Sequence, residues 1–264
     1  MRVSLRMPSG EGVAAGQTAT FRLPIGRTYH GLLLTYAGVT LAQMNELRVI
    51  ANGATIQRIT GGTFLDVLNQ FNGHAAASGV LRLDFDRSNM RLKEGEEFTA
   101  LGTGKENDPQ QVTTLTLEVD IDAAAAAPVL SLRAIQSEPS FFGVVNKIRE
   151  FSYAPAAAGE FEIADLPRND LIGRIILSKA GINSVKIERD GFTLFERTAA
   201  ENTLIQTDGV RVPQTNYFVF DPSELGFAGE AVVLKGVSDF RVIVDVAAGG
   251  AMPVIVEYIG GLPS

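Results

Sequence analysis

Apolar residues recur at every second position in several short stretches of this chain. Over residues 113–121, Leu115, Leu117, Val119 and Ile121 fall on one face, and Thr114, Thr116, Glu118 and Asp120 on the other. Over Phe240–Val246, Phe240, Val242, Val244 and Val246 oppose Arg241 and Asp245. A period of two is what a strand with one buried face requires. Residues 129–135 and 254–259 read as further strands, and about eight strand candidates fall in each half, at sandwich or barrel spacing. Helical spacing appears in three places. Residues 63–71 carry Phe64, Leu65, Leu68 and Phe71, with Thr63 placed to cap the start. A short helix is predicted over residues 41–47. The strongest stripe, Phe141, Val144, Val145, Ile148 and Phe151, predicts a helix over residues 139–151, with Asn146, Lys147, Arg149 and Glu150 on its other face. Residues 123–127, all alanine, read as a bend between two strands.

The two halves repeat each other in order. Leu32-Leu33-Leu34-Thr35-Tyr36-Ala37-Gly38-Val39 matches Ile175-Ile176-Leu177-Ser178-Lys179-Ala180-Gly181-Ile182 at an offset of 143, and Leu23-Pro24 matches Leu166-Pro167 at the same offset. Leu47-Arg48-Val49 followed by Asn52-Gly53 corresponds to Val185-Lys186-Ile187 followed by Asp190-Gly191. Asn-Gly and Asp-Gly between alternating apolar residues predict tight hairpins, because both turn positions need positive φ. Further on, Phe85-Asp86 and Ser88 match Phe220-Asp221 and Ser223. Gly95-Glu96 matches Gly229-Glu230, Val119-Asp120-Ile121 matches Val244-Asp245-Val246, and Pro128-Val129 matches Pro253-Val254. Ordered matches of this kind imply duplication, with a boundary at residues 137–160, where the predicted helix runs into Ala154-Pro155-Ala156-Ala157-Ala158-Gly159.

Composition narrows the chemistry. The 264 residues suffice for two sandwiches of roughly 100–130 residues each. A net charge of −7 argues against general nucleic-acid binding, which needs a surplus of Lys and Arg. With no cysteine, disulfides, thiolate metal sites and Cys nucleophiles are excluded. Residues 1–16 carry Arg2 and Arg6 without an apolar run, so no secretory leader is expected. The most apolar long stretch, residues 242–256, is interrupted by Asp245, Gly249, Gly250 and Pro253, which argues against a membrane span.

Candidate chemical sites are sparse. His30 and His74 are the only histidines, far apart and without a metal-binding pattern, and read as surface or loop residues. Gly102-Thr103-Gly104-Lys105 hints at a phosphate loop, but Glu106 follows where Ser or Thr is needed, and a flexible loop is the better reading. The pairs Asp84/Asp86 and Asp120/Asp122 sit two residues apart, so each pair could share a structural Ca²⁺, or simply be solvated at a strand end. No catalytic, cofactor-binding or metal residue is assigned, and no cofactor is required. The second functional class compatible with these features is a carbohydrate-binding or adhesive β-sandwich. Such modules usually present exposed aromatic platforms, often Trp, and this chain has no Trp.

Several stretches resemble a known family. Val13-Ala14-Ala15-Gly16, Leu23-Pro24-Ile25-Gly26-Arg27-Thr28-Tyr29 and Tyr36-Ala37-Gly38-Val39-Thr40 resemble the opening of corticovirus major capsid proteins. Ala100-Leu101-Gly102-Thr103, residues 119–125, residues 162–168 and Ile255-Val256-Glu257-Tyr258-Ile259-Gly260 continue the likeness in order. The likeness is weakest over residues 62–80 and 195–215. The resemblance implies an all-β double jelly roll, with tandem eight-stranded sandwiches at residues 1–136 and 161–264 and a helical connector at 137–160. It further implies a non-enzymatic subunit of the virion capsid, assembled in a bacterial host's cytoplasm. Three chains would make a pseudo-hexagonal homotrimer, and trimers would tile an icosahedral shell over an internal lipid membrane without spanning it. Minor capsid and vertex proteins would be the other partners, with no direct nucleic-acid contact.

Overall fold

The computed structural model describes residues 1–104, 107–108 and 110–262. The first half contains β1 (Val3–Arg6), β2 (Thr18–Arg22), β3 (Thr28–Ala37), β4 (Met44–Ala51), β5 (Ala54–Ile59), helix α1 (Gly62–Phe71), β6 (Val80–Asp84), short helix α2 (Lys93–Glu96), β7 (Leu101–Gly102), β8 (Leu115–Ile121) and β9 (Val129–Ser137). The second half contains β10 (Val145–Tyr153), β11 (Gly159–Ile163), β12 (Leu171–Ser178), β13 (Ile182–Arg189), β14 (Phe192–Thr198), helix α3 (Ala199–Gln206), β15 (Tyr217–Phe220), β16 (Phe240–Val246) and β17 (Met252–Gly260).

Each half rolls its strands into two facing four-stranded layers. In the first, β1-β9-β3-β6 faces β2-β8-β4-β5, and β7 adds a short pair to β3. In the second, β10-β17-β12-β15 faces β11-β16-β13-β14. The first strand pairs with the last in both halves, which is the jelly-roll connection. The alternating residues meet between the layers. Leu115, Leu117, Val119 and Ile121 enter the first core, and Phe240, Val242, Val244 and Val246 the second.

Duplication is written in the backbone irregularities. A register shift between Tyr29 and Gly31 in β3 recurs between Ile172 and Arg174 in β12, at the same offset of 143 that relates Gly38 to Gly181. The shifts between Met44 and Glu46 and between Val49 and Ile50 recur between Ile182 and Ser184 and between Ile187 and Glu188. The two hairpin turns also agree, with φ of 51° and 78° at Asn52-Gly53 and 48° and 81° at Asp190-Gly191. Two of the sequence matches are displaced. Leu32 pairs with Leu83 and its counterpart Ile175 with Phe220, so Leu83-Asp84, not Phe85-Asp86, is equivalent to Phe220-Asp221. The run Leu83-Asp84-Phe85-Asp86 repeats every two residues, and a slip of two preserves the face. Leu34 pairs with Leu132 and Leu177 with Val254, so Leu132, not Val129, is the counterpart of Val254.

The predicted connector helix does not form. Residues 139–144 lack regular structure, and β10 occupies most of the rest of the apolar stripe. Backbone pairing overrides the helical spacing: β10 lies antiparallel to β17 from Val145 opposite Gly260 to Tyr153 opposite Met252. A strand that packs apolar residues from both faces, as β10 does with Val145 and Ile148, loses its alternation, and its apolar residues can then mimic a helical stripe. Val145 and Ile148 join the first core, while Phe151 and Tyr153 pack against the second. Phe141, expected in the stripe, is 49% exposed, and Phe142 is the buried neighbour. The expected connector at 137–160 therefore contains the first strand of the second jelly roll. Smaller corrections concern the other helices. The helix expected at 41–47 is a single 3-10 turn, Leu41–Gln43, before β4 begins, and the N-cap of α1 is Gly61 instead of Thr63. Residues 123–127 form the expected bend.

Gly38 and Gly181 close equivalent turns with φ of 66° and 74°. A β-carbon at Gly38 would lie 1.9 Å from the Ala127 carbonyl oxygen, whereas one at Gly181 would meet only the Ala247 methyl at 3.2 Å. Gly181→Ala should cost about 1–2 kcal/mol, the penalty of a left-handed L-residue. Gly38→Ala should cost at least about 1 kcal/mol more, since a backbone carbonyl must move. Urea unfolding of both variants checks the order; equal costs would contradict the turn geometry.

Candidate functional site

The most elaborate arrangement of polar side chains lies where the two jelly rolls meet. Arg174 interrupts the apolar run of β12, and Glu257 does the same in the neighbouring β17. The pairing places them opposite each other. Arg174 Nη1 lies 3.4 Å from Glu257 Oε1, and Nη2 3.3 Å from Asp221 Oδ2, just past the end of β15. Arg211 reaches the same Asp221 oxygen from Nε and Nη2, both at 3.1 Å. The second oxygen of Asp221 accepts from Ser223 N at 3.0 Å and Ser223 Oγ at 2.8 Å. These charges are withdrawn from water, with the Asp221 side chain 0% exposed and those of Arg174 and Arg211 8% and 3%. Burial alone would push the Asp221 carboxyl up. Arg174 and Arg211, with the Ser223 hydroxyl, reverse that and hold it below the usual carboxylate range.

The first jelly roll enters this network directly. Arg87 Nη2 donates to Ser223 Oγ at 2.8 Å and Nη1 to the Ala228 carbonyl at 2.8 Å. Asn72, capping the end of α1, accepts from Arg174 at 3.2 Å, and the Arg174 guanidinium stacks 5.2 Å from the Phe71 ring centre. A cavity of about 40 Å³ lies between the two jelly rolls, bordered by Gln57, Asn146, Arg87 and Arg174. Among the described residues, Gln57 Oε1, Asn146 Oδ1 and Arg174 Nε have no hydrogen-bond partner, and a polar cavity of this size has room for water.

Beside the network, apolar surface seals the joint. Ile176 of β12, Val219 of β15 and Ile255 of β17 point away from the second core and belong to the core of the first. They meet α1, whose Phe64 ring stands 6.2 Å from Tyr217. Backbone completes the contact: β5 runs parallel to β10 with Gln57 opposite Ile148, and Gln57 Nε2 donates to the Asn146 carbonyl at 3.0 Å. One sheet of eight strands, β15-β12-β17-β10-β5-β4-β8-β2, thus crosses both jelly rolls.

The residues singled out from sequence fall elsewhere. His30 is not a surface residue: it is 3% exposed in β3, with Nδ1 3.0 Å from Asp86 and Nε2 2.8 Å from Ser137 Oγ. His74 lies in the loop after α1, half-buried, 3.8 Å from Asp84. Asp84 is engaged by Arg82 at 2.6 Å, and Asp86 by His30 and by Arg2 at 3.0 Å. Burial pushes both carboxyls up despite these partners. Asp120 accepts from Thr18 Oγ1 at 2.6 Å and Arg48 Nη1 at 2.8 Å, and Asp122 from Ala124 N at 2.8 Å and Asn45 Nδ2 at 3.2 Å. Among the described residues, no group of three or more His, Asp or Glu side chains is placed to hold a metal ion. The Gly102-Thr103-Gly104 segment is not a loose loop. Gly102 pairs with Thr28, and Thr103 is buried with its hydroxyl donating to the Arg27 carbonyl at 2.6 Å. Lys105 and Glu106 lie outside the described residues. Sequence reading missed Arg174, Arg211, Asp221 and Glu257 as a unit. The available signal was a single charge inside an otherwise apolar strand, at Arg174 and at Glu257.

This architecture has relatives. Residues 4–138 match the family described as viral coat protein P2 N-terminal domain, and residues 145–262 its C-terminal domain. The major capsid protein P2 of Pseudoalteromonas phage PM2 is 30% identical over 270 aligned positions, covering 98% of this chain and 97% of that protein. The crystal structure of the P2 protein from bacteriophage PM2 superposes with a TM-score of 0.92 at 29% identity, covering 100% of this chain and 98% of the other. The Sulfolobus turreted icosahedral virus structure shares the fold alone, with a TM-score of 0.71 at 10% identity, covering 99% and 91% of the two chains. With both halves matched in order, the chain belongs to the viral coat protein P2 family and is a double jelly-roll major capsid protein, a structural subunit of the shell of an icosahedral tailless phage and not an enzyme.

Proposed function

We propose that three copies of this chain close into a ring of six jelly rolls, and that such rings tile the shell as pseudo-hexagonal blocks. The observation that carries this reading is the equivalence of the two halves, down to three shared register shifts. Two equivalent units fused in one chain turn a six-fold packing problem into a three-fold one, and fusion removes an association step with its entropic cost. The further placement, over an internal lipid membrane with minor capsid and vertex proteins as neighbours, and assembly in the bacterial cytoplasm, is supported by the family resemblance. A net charge of −7 supports a shell that does not hold nucleic acid directly. Among the described residues no helix is long and apolar enough to cross a membrane. Division of labour between residues 1–136 and 161–264 is part of the same proposal, with β10 assigned to the second unit.

In this reading the buried ion network is a stiffener. A tile must keep the angle between its two jelly rolls, because angular errors accumulate around a closed shell. Ion pairs buried in the joint resist opening, since separating them would leave charges unpaired in a poorly hydrated site.

Two outcomes test these proposals. Sedimentation at micromolar concentration should give three times the monomer mass, with interfaces burying over about 2,000 Å²; folded protein that remains monomeric would count against the ring. Arg211→Met should lower stability by about 3–5 kcal/mol at neutral pH, by leaving Asp221 short of a partner. Asp221 has a depressed carboxyl in the fold, so its contribution is complete above the unfolded value of about 3.9 and is lost as pH falls through the folded value. Stability curves of wild type and Arg211→Met should therefore converge below about pH 4. A difference independent of pH would show that lost packing, not charge, is the cause.

A further inference from the structure

The cavity between the two jelly rolls carries polar groups that the ion network does not use. One rung of the eight-stranded sheet crosses the seam here. Gln57 of β5 lies opposite Ile148 of β10, Ile148 opposite Glu257 of β17, and Glu257 opposite Arg174 of β12. Residues opposite one another share a face of the sheet, and Asn146, two residues before Ile148, shares it as well. Gln57, Asn146, Glu257 and Arg174 all line the cavity. Gln57 is 0% exposed and Arg174 6%. Among the described residues, the orphaned atoms on this face are Gln57 Oε1, Asn146 Oδ1 and Arg174 Nε, two acceptors and one donor.

Turning the amides does not remove these orphans. Gln57 Nε2 donates to the Asn146 carbonyl at 3.0 Å, so a turned Gln57 would set two carbonyl oxygens against each other. Asn146 Nδ2 lies 3.5 Å from Glu257 Oε2, so a turned Asn146 would set its oxygen against that carboxylate. Gln57 and Arg174 stand three strands apart, about 14 Å between backbones at ordinary strand spacing, so their side chains do not meet directly. Charge then decides what fits between them. A cation drawn to the amide oxygens would meet Arg87 and the Arg174 Nε–H. An anion drawn to the two arginines would meet the amide oxygens together with Asp84, Asp86 and Glu257. Water is neutral and both donates and accepts.

We propose that this cavity is a built hydration site, in which a short chain of ordered waters crosses the seam, donating to Gln57 Oε1 and Asn146 Oδ1 and accepting from Arg174 Nε. The volume of about 40 Å³ holds about three waters at the ~10–15 Å³ that each requires. More than one is needed, because a single water does not reach across the span from β5 to β12. The chain of waters ties the first jelly roll to the second past β10, in addition to the direct bond from Gln57 to the Asn146 carbonyl. Bridges of this kind are nearly as favourable as direct hydrogen bonds. Waters fixed on protein groups do not reorient as bulk solvent does, so the ion pairs beside them remain poorly screened.

Crystals of the full chain test this, with anomalous data collected after a rubidium chloride soak and after a sodium bromide soak. Unsoaked crystals should show density peaks within hydrogen-bond distance of all three atoms, and neither soak should give an anomalous peak in the cavity. A rubidium peak there would make it a cation site and a bromide peak an anion site, and either result overturns the proposal. A cavity without density, in a map that shows ordered waters elsewhere in the interior, overturns it too. In solution, oxygen-17 relaxation dispersion of water reports long-lived buried molecules. Gln57→Leu keeps the bulk of the side chain but not its amide, and should lose part of that long-lived population with the dichroism spectrum unchanged. An undiminished population in the folded variant counts against the site. If Gln57→Leu does not fold, the wild-type maps decide.

Discussion

Two jelly rolls joined end to end keep a fixed angle only if the seam between them cannot hinge, and in this chain the seam is strand β10. It is hydrogen-bonded to β17 along its whole length and to β5 on its other side, and its side chains enter both cores. A linker of seven irregular residues, 138–144, precedes it, but that linker does not bear the joint. Bending at the seam would have to break sheet hydrogen bonds and expose Ile176, Val219 and Ile255, each worth about 1.5–3 kcal/mol when buried. The polar network lies against this seam, and its charges reach across it through Arg87 and Asn72.

The joint combines two kinds of interaction with different roles. Apolar contacts supply most of the adhesion but tolerate sliding, because they are non-directional. The buried guanidinium and carboxylate groups impose geometry, because any displacement leaves charge unpaired in a dry site. Asp221 receives two arginines from one side and the Ser223 backbone and hydroxyl from the other, so its position is set by five donor atoms. The cost of burying such charges is met within the second jelly roll, and the first adds Arg87 by way of Ser223 Oγ without a further carboxylate contact.

Strands with one wet face were legible in the sequence, because alternation reports a half-buried surface. Residues 115–121 and 240–246 form as the pattern predicts. The duplication was legible for the same reason, and through the positive-φ turns at Asn52-Gly53 and Asp190-Gly191. What failed was β10, whose apolar residues Val145, Ile148 and Phe151 fall on both faces and so break the alternation, and the register of Asp84 and Asp86, where a repeating pattern permits a slip of two. The charged network was hidden for a different reason. Arg211 sits in an irregular loop and meets Asp221 only through the tertiary fold, so no spacing along the chain announces the pair. His30 was misread because one histidine in a strand gives no hint of the carboxylate that accompanies it inside.

The three shared register shifts have a consequence for how such proteins can be compared. An extra residue in a strand sends every side chain beyond it to the opposite face, so removing it later would turn a core inside out. Substitutions can erase any single residue of a strand, but the shift outlasts them as long as the core survives. Positions such as His30 and Gly173, which share neither size nor charge, are thereby marked as descendants of one ancestral site. Between the two halves of this chain, these irregularities act as mileposts, fixed points from which strand-by-strand correspondence can be counted when residue identity no longer provides it.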